Sequence, residues 1–312
     1  MKDMKKNILV IGELNVDLIM DKIQGVPEYG KEKKASEMNL VMGSSSAIFA
    51  CNIAALGASV SFAGMVGDDL FGSLVKQLLL EKNVNIDHLK TSQTGKTGVT
   101  VAFNKKDDRL MVTHPGVMEL FGQKYLSAST YDDFDHLHIS SIFFQPQLKK
   151  DLPSILQTAK EAGLTTSIDV QWDPNEMWDL DLQAIINNLD LFMPNEKELV
   201  NLIGLDSLEN ALSTLSEFDT KVVVKRGKNG SIYQHKNIRL TQEAFLLSKF
   251  ADAIGAGDSF NAGFILAFLN QKTPEECLLQ GSITAAVSTL EYGGTGAIKS
   301  YEQVQNYLNQ KS

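Results

Sequence analysis

An aspartate directly follows a small glycine-rich turn in the C-terminal part of the chain. The turn is Gly255-Ala256-Gly257, the acid is Asp258, and the apolar segment 260–269 that follows is typical of a helix. Such a turn exposes several backbone N–H groups at a helix start, where anions are stabilised. A carboxylate beside an anion site makes chemical sense if it removes a proton from a hydroxyl group while the N–H groups hold the phosphoryl group that the hydroxyl attacks. The stretch therefore predicts a phosphoryl-transfer centre.

Two better-known phosphate-binding motifs fail on their spacing. Gly255 and Gly257 begin a dinucleotide fingerprint, but Phe260 stands where its third glycine is required. The segment 95–97 looks like the end of a P-loop, but Lys90 stands where the upstream glycine is required and a strand-like run follows. We expect neither motif to function here.

Asn195 and Glu198 stand three residues apart where a predicted strand gives way to a predicted helix. One interpretation is structural, because an asparagine N-cap with a glutamate three residues later forms a capping box. The other is functional, because side chains at the C-terminal end of a parallel strand face a cleft and could orient Mg²⁺ through its water ligands. The sequence leaves both interpretations open.

Asn15 and Asp17 follow the first predicted strand. A carboxylate accepts hydrogen bonds from two hydroxyls, and an amide both donates and accepts, so the pair suits a polyol. A turn without any ligand would also explain these residue types.

The elements that must position these residues alternate between short β-rich runs and amphipathic helical stretches. This alternation predicts a parallel sheet covered by helices. The predicted strands are 8–11, 60–66, 136–140, 165–169, 191–194 and 222–225. The predicted helices are 47–56, 71–83, 148–162, 196–203, 208–215 and 260–269.

Two segments interrupt the alternation, at about 14–42 and 97–114. Both are β-like, with turns and no helix of useful length. We expect them to leave the main sheet and pair with each other as a small antiparallel flap, which would act as a lid that excludes water from a cleft. Since no linker or repeat divides the chain, 1–312 is predicted to be one domain with this lid inserted in it.

Composition and charge narrow the class of protein. The 312 residues carry a net charge of −9 without a basic block, which argues against nucleic-acid binding. No apolar run is long enough to span a bilayer, and no secretory signal is recognised. Cys51 and Cys277 lack metal-binding spacing and are expected in the core. We expect a cytoplasmic protein without nucleic-acid or membrane partners.

Together these motifs resemble those of the ribokinase-like carbohydrate kinases, the PfkB family, over nearly the whole chain. The matching positions, in chain order, are Gly12, Asn15 and Asp17; a glycine-led signature at 43–58; Gly67, Asp69, Phe71 and Gly72; Asn195 and Glu198; 222–230; and 252–258. Their shared order and spacing carry the resemblance.

The resemblance implies a three-layer α/β/α sandwich with a mainly parallel central sheet and a small β-sheet lid. It implies ATP with Mg²⁺ as the phosphoryl donor and a hydroxyl group of a sugar or sugar acid as the acceptor. Asp258 would be the general base, and the N–H groups of Gly255, Ala256 and Gly257 would form the anion hole. The start of a helix would lower the pKa of Asp258 and keep it ionised.

Ligand-contacting residues follow from the matching positions. The nucleotide side would comprise Lys225, Gly227, Gly230 and Asn195, although Lys225 could equally point to solvent. Glu198 and Asn195 would hold Mg²⁺, through water. The acceptor side would comprise Asn15, Asp17, Gly43 and Ser44.

The chain departs from the family pattern in the first signature. Ser44 stands in place of a second glycine, and Ile48 in place of an asparagine that binds substrate. Since Ile48 cannot form a hydrogen bond, ribose is doubtful, and fructokinase-like and 2-keto-3-deoxygluconate-kinase-like acceptors remain open. A nucleoside kinase of the same fold is an alternative. A non-catalytic sugar- or nucleotide-binding regulator is another, but a protein that only binds does not need Asp258.

Two further expectations come from the family. Some members bind a monovalent cation such as K⁺ through carbonyl oxygens, and the loop 292–296 is the candidate here. Lids in the family often pair two subunits, and an unpaired lid edge would expose backbone groups. We therefore expect a homodimer through the lid.

Overall fold

The structure, a computed structural model, describes residues 5–25, 27–105 and 108–309. Its strands are β1 (Asn7–Ile11), β2 (Asn15–Ile23), β3 (Ala35–Met42), β4 (Ser59–Gly67), β5 (Val84–Asn85), β6 (Leu89–Ser92), β7 (Gly98–Lys105), β8 (Asp108–His114), β9 (His136–Ser140), β10 (Thr165–Asp169), β11 (Leu191–Phe192), β12 (Lys221–Lys225), β13 (Ser231–His235) and β14 (Ile238–Gln242). The ends of the predicted domain, 1–4 and 310–312, lie outside the described residues.

The α-helices connect and cover these strands. They are α1 (Ser45–Ala55), α2 (Leu70–Glu81), α3 (Pro146–Glu161), α4 (Leu182–Ile185), α5 (Glu196–Ile203), α6 (Leu208–Leu215), α7 (Ala256–Leu269), α8 (Pro274–Ser288) and α9 (Tyr301–Asn309). Every strand and helix predicted from the sequence is present, with bounds that differ by a few residues.

The larger sheet runs in the order β14-β13-β12-β11-β10-β9-β1-β4-β5, with β6 beside β4. The strands from β12 to β4 pair in parallel, and β13 and β14 add an antiparallel hairpin at one edge. Alternate side chains of β1 enter two cores, because Ile8 and Val10 pack in one cluster and Leu9 and Ile11 in another. Helices therefore cover both faces, and the predicted three-layer sandwich is confirmed.

The smaller sheet contains both segments that interrupt the alternation, in the strand order β3-β2-β7-β8. The hairpins β2–β3 and β7–β8 are antiparallel, but β2 and β7 pair in parallel, with Val16 opposite Val99. The prediction of an antiparallel flap is therefore wrong for its central pair of strands, β2 and β7. The chain passes through α1, β4 and α2 between the two hairpins, and this long connection allows the second hairpin to enter in the same direction as the first. Within the predicted lid ranges, 26 and 106–107 lie outside the described residues.

One edge of the larger sheet collects polar side chains that are distant in sequence, because the C-terminal ends of parallel strands meet there. Glu13 follows β1, Asp169 ends β10, Asn195 follows β11 and Lys225 ends β12. The start of α7 lies over the same edge, since a Cβ atom at Gly257 would be 3.7 Å from Lys225 Nζ.

The remaining features agree with the composition. Cys51 and Cys277 are buried and free, as predicted. No helix among the described residues is long and apolar enough to cross a membrane.

Candidate active site

Asp258 lies in the first turn of α7 and is 5% exposed. The helix begins after Gly255, whose φ of 70° lies in the left-handed region that glycine adopts without strain. A Cβ atom at Gly255 would also lie only 2.7 Å from Ile48 Cγ2, so this position requires glycine for space as well as for conformation. The turn therefore directs the first N–H groups of α7 and the carboxylate of Asp258 to the same edge of the sheet.

The carboxylate of Asp258 is held by Gln171. Gln171 Nε2 donates to Asp258 Oδ1 at 3.1 Å and to Asp169 Oδ2 at 3.2 Å, so one amide links the two acids. Gln171 has a φ of 61°, a left-handed conformation that directs its side chain back towards the strand end.

Lys225 points into the site and not to solvent. Its Nζ pairs with Asp169 Oδ2, and its side chain is only 11% exposed. Asn261 Nδ2 donates to the same Asp169 oxygen at 2.6 Å. Asp169 Oδ1 is buried without a hydrogen-bond partner among the described residues. The nearly buried lysine is thus aimed at the first turn of α7 by an acid that is itself fully buried.

The pKa of Asp258 is raised well above its usual range, contrary to the expectation from the helix start. Burial is the largest cause, and the negative charges of Asp169, Glu13 and Glu198 act in the same direction. Lys225 opposes the shift without cancelling it. The helix start alone predicted the wrong sign because desolvation and the buried acids outweigh it.

Asn195 and Glu198 form the capping box that one interpretation predicted. Asn195 Oδ1 accepts from the Glu198 N–H at 2.9 Å, and Glu198 Oε2 accepts from the Asn195 N–H at 2.8 Å. Glu198 is nevertheless almost fully buried, and burial together with the Asp169 charge raises its pKa above the usual range. The cap fixes a carboxylate at the strand end, so the structural role does not exclude the metal role, which stays a prediction.

Glu13 is a buried acid that the sequence reasoning did not select. It accepts hydrogen bonds from the Oγ and, at 3.3 Å, the N–H of Ser46 at the start of α1. Burial raises its pKa to about 7 despite these hydrogen bonds. Its charge acts on Asp258 across the site.

Asn15 and Asp17 form a pair on β2. Asn15 Nδ2 donates to Asp17 Oδ1 at 2.9 Å and to Thr100 Oγ1 of β7 at 3.1 Å. A Cβ atom at Gly43 would lie 2.3 Å from Asp17 Oδ1 and 2.4 Å from Asn15 Nδ2. Because glycine has no side chain, position 43 leaves room for the side chains of Asn15 and Asp17.

Ser44 caps the start of α1, and Ile48 is a buried residue of that helix. Ser44 Oγ donates to the Glu13 carbonyl at 2.6 Å and accepts from the Ala47 N–H at 2.9 Å, which makes it the N-cap of α1. Ile48 is 3% exposed and fills the space beside Gly255. The predicted acceptor contact of Ser44 remains a prediction.

A cavity of about 340 Å³ is lined in part by Lys225. Gly227 and Gly230 line it, together with apolar side chains that include Phe245, Leu246, Leu247 and Phe250. An apolar slot that ends in a glycine turn and an ammonium group has the character of a site for a heteroaromatic ring with phosphates attached.

The site residues that the sequence reasoning missed are Asp169, Gln171, Asn261 and Glu13. Asp169 could have been selected from the sequence, because it is a carboxylate at the end of a predicted parallel strand. Nothing in the sequence indicated Gln171, because 87 residues separate it from Asp258 in the chain.

Known proteins resemble this chain throughout its length. Residues 5–300 match the model of the pfkB family carbohydrate kinases. The chain is 27% identical over 292 residues to the ATP-dependent ribose-1-phosphate kinase of Halopiger xanaduensis, covering 93% of this chain and 94% of that protein. The ribokinase of Arabidopsis thaliana, solved with ribose and ATP, superposes with a TM-score of 0.86 at 21% identity, covering 98% and 99%. A putative ribokinase II of E. coli, solved with ATP and Mg²⁺, gives 0.85 at 21% identity, covering 98% and 100%.

The fold and the family match define the class of protein as a phosphotransferase that acts on carbohydrates. The chain belongs to the pfkB family of carbohydrate kinases.

Proposed function

We propose that the protein transfers the γ-phosphoryl group of ATP to an alcohol hydroxyl of a small sugar or sugar acid, with Asp258 as the general base. The observation that carries this proposal is the buried carboxylate of Asp258 beside the first N–H groups of α7, held by Gln171 at 3.1 Å. This hydrogen bond orients the carboxylate of Asp258 at the start of the helix.

In the proposed reaction, an oxygen of the acceptor attacks the γ-phosphorus while its proton passes to the carboxylate of Asp258. The bond to the β-phosphate oxygen breaks, and ADP leaves. The N–H groups of Gly255 and Gly257 stabilise the negative charge spread over the transferring group, and Lys225 Nζ adds a positive charge beside them. The Ala256 N–H donates to the Ala253 carbonyl at 3.2 Å and would join them on leaving that carbonyl. A raised pKa makes the ionised carboxylate of Asp258 a stronger proton acceptor than an ordinary carboxylate.

ATP is the donor that the neighbouring cavity favours. Gly227 and Gly230 would contact the nucleotide through their backbones, and Phe245 and Phe250 would contact its base. The relatives that carry ATP in their names or structures support the same donor.

The acid-rich edge fits Mg²⁺. The negative charges of Asp169, Glu198 and Asp258 act on one another, with Lys225 as the cation among them. Glu198 and Asn195 would hold the ion through water, and when bound it would neutralise charge on the phosphates of ATP. Among the described residues, no three His, Cys, Asp or Glu side chains are grouped so that they could hold a metal ion.

The acceptor would bind against Asn15 and Asp17, whose paired amide and carboxylate suit neighbouring hydroxyls. Gly43 gives them space, and Ser44 lies beside it. Ile48 offers only an apolar surface where the family has an asparagine, which favours a fructokinase-like or 2-keto-3-deoxygluconate-kinase-like acceptor over ribose.

The lid sheet supports a homodimer. Residues opposite each other in register lie on one face of a sheet. Two such rows on the lid are wholly apolar: Leu40, Leu18, Val101 and Val112 in one, and Met38, Met20, Phe103 and Leu110 in the other. The members on the edge strands β3 and β8 are exposed. Asn15 and Asp17 alternate onto the opposite face, so we propose that this face closes over the acceptor and the two apolar rows pack against a second copy.

The remaining expectations are part of the same proposal. A homodimer of this kind would work in the cytoplasm on a small molecule, where Cys51 and Cys277 would stay reduced. K⁺ as an additional cofactor rests on the family alone, and its expected loop is the subject of the next section.

The proposal is tested by incubating the purified protein with Mg·ATP and a panel of ketoses, aldoses, sugar acids and nucleosides, with ADP release as the readout. We expect one class of sugar or sugar acid to raise ADP release in proportion to the phosphorylated product. If only nucleosides do so, the nucleoside-kinase alternative replaces the proposal. If no acceptor does, a binding protein on a kinase scaffold is supported instead.

A further inference from the structure

The loop Tyr292–Gly296, here called the glycine loop, connects the anion site with the lid. A Cβ atom at Gly255 would lie 3.1 Å from Gly294 Cα, so the loop packs directly against the turn that starts α7. A Cβ atom at Gly293 would lie 3.2 Å from the side chain of Val41 on β3. The position of this loop therefore constrains both the first N–H groups of α7 and the base of the lid.

Three of the five carbonyl oxygens of the glycine loop accept hydrogen bonds from protein side chains. Gly294 O accepts from Asn52 Nδ2 at 2.8 Å, and Thr295 O accepts from Lys82 Nζ at 2.7 Å. Gly296 O accepts from Lys299 Nζ. Because two of these carbonyl oxygens already accept from ammonium groups, the expected K⁺ at them would lie next to a positive charge.

Of these donors, the Lys82 ammonium group has the charge and position most like those of a bound cation. It follows α2 and is half-buried, and among the described residues its Nζ forms no ion pair with a carboxylate. Its charge lowers the pKa of the buried Cys51 thiol, against the larger effect of burial, so the ammonium group lies towards the interior. A second cation at the same carbonyls would meet its repulsion.

We propose that the Lys82 ammonium takes the place of a bound monovalent cation in the glycine loop, so that the protein needs no K⁺. Lys82 is a positioning residue. It fixes the Thr295 carbonyl, and through Gly294 it holds the backbone at Gly255 where the transferring phosphoryl group would bind. The catalytic part of this inference rests on the proposed function, whereas the cation part concerns the folded protein alone.

The experiment compares the wild type, Lys82→Met and the control Lys76→Met in KCl, NaCl and tetramethylammonium chloride at equal ionic strength. Lys76 is a fair control because it lies on the same helix and donates to Thr91 Oγ1 at an exposed position. Two quantities are measured: the thermal unfolding midpoint without ligands, and ADP release with an active acceptor.

For the wild type and Lys76→Met we expect the same midpoint and the same turnover in all three salts. For Lys82→Met we expect a lower midpoint in tetramethylammonium that K⁺ partly restores, and turnover reduced by roughly 10²-fold through misplacement of the anion site. A wild-type midpoint or turnover that rises on replacing tetramethylammonium with K⁺ overturns the proposal. So does a Lys82→Met protein that matches Lys76→Met in both readouts.

Failure of the proposed function is distinguishable from failure of this inference. A protein that turns over no acceptor still gives unfolding midpoints, and these decide whether Lys82 replaces a cation. Should Lys82→Met not fold in any salt, Lys82→Arg keeps the charge, and we expect the midpoint of that variant to be equal in all three salts.

Discussion

At the scale of single residues, the site is a buried cluster of acids with one lysine among them. Asp169 holds Lys225 directly and Asp258 through Gln171, so one carboxylate orients both side chains. Burial raises the pKa of Asp258, and the neighbouring acids, which outnumber the cations, raise it further. The site is thus suited to a ligand that carries a metal cation with it.

Lys225→Met should reduce turnover by ~10²-fold, as the loss of one preorganised donor does in other enzymes. It should also destabilise the fold by about 3–5 kcal/mol, because Asp169 would be left buried without its cation. Steady-state kinetics and urea unfolding measure the two effects, and Lys221→Met at the other end of β12 is the matched control.

The double variant Lys225→Met with Asp169→Asn separates these effects. Removing the orphaned charge should restore most of the stability but none of the turnover. Recovered turnover would mean that Lys225 supports the fold and has no direct part in the reaction.

Asp258 and the capping pair were predictable from sequence because their signals are local. A glycine turn before a helix and an N-cap with its glutamate are patterns of a few residues. Lys225 was ambiguous, since its direction depends on Asp169, which is 56 residues away in the chain. The sign of the pKa shift of Asp258 was not predictable for the same reason.

At the scale of elements, the hydrophobic pattern was sufficient for the sandwich. Each strand candidate became a strand because alternation and short apolar runs are set by burial on both faces of the sheet. The parallel junction between β2 and β7 was not predictable, because strand direction in the lid depends on the path of the chain through α1, β4 and α2. The requirement for glycine at position 43 was not predictable either, because it arises from two side chains on β2.

Gly43→Ala tests the proposed acceptor site between α1 and the lid. Gly43 lacks a positive φ, so alanine adds only the collision with Asn15 and Asp17. Displacing that pair should lower kcat/KM for the acceptor by up to ~10²-fold while the affinity for Mg·ATP stays unchanged. Kinetics at varied acceptor concentration and calorimetry with Mg·ATP measure this, with Ser36→Ala on β3 as the control. Unchanged acceptor kinetics would place the acceptor elsewhere.

At the scale of the whole molecule, two properties follow from the balance of buried charge and exposed apolar surface. The edge strands of the lid expose apolar side chains such as Met38 and Leu110, and the core buries acids such as Glu13, whose pKa is raised. The first property bears on assembly and the second on stability.

The assembly prediction is that the protein is a dimer and that Met38→Lys with Leu110→Lys makes it a monomer. Both side chains belong to one cross-strand row of the lid and are 62% and 55% exposed. Size-exclusion chromatography with light scattering measures the mass, and Leu80→Lys on α2, also exposed, is the control. A wild-type monomer, or a dimer that survives both lysines, contradicts the lid interface.

The stability prediction concerns Glu13, whose pKa rises from 4.5 to about 7 on folding. A raised pKa stabilises the fold below the unfolded value, and this contribution is lost as the pH rises through the folded value. Glu13→Gln should therefore be more stable than the wild type at pH 8 by about 1–3 kcal/mol, and equal to it below pH 4.5. Urea unfolding at pH 8 and below pH 4.5 measures the difference in the free energy of unfolding between Glu13→Gln and the wild type, and so tests its sign. The exposed Glu302→Gln is the control.

The central claim is that Asp258 removes the acceptor proton, and it is tested most directly by Asp258→Asn with an acceptor that the wild type phosphorylates. We predict that acceptor-dependent ADP release falls by ~10²–10⁴-fold while the Kd for Mg·ATP is unchanged, and that Asp132→Asn on the surface behaves as wild type. An Asp258→Asn protein that retains full turnover would contradict the account.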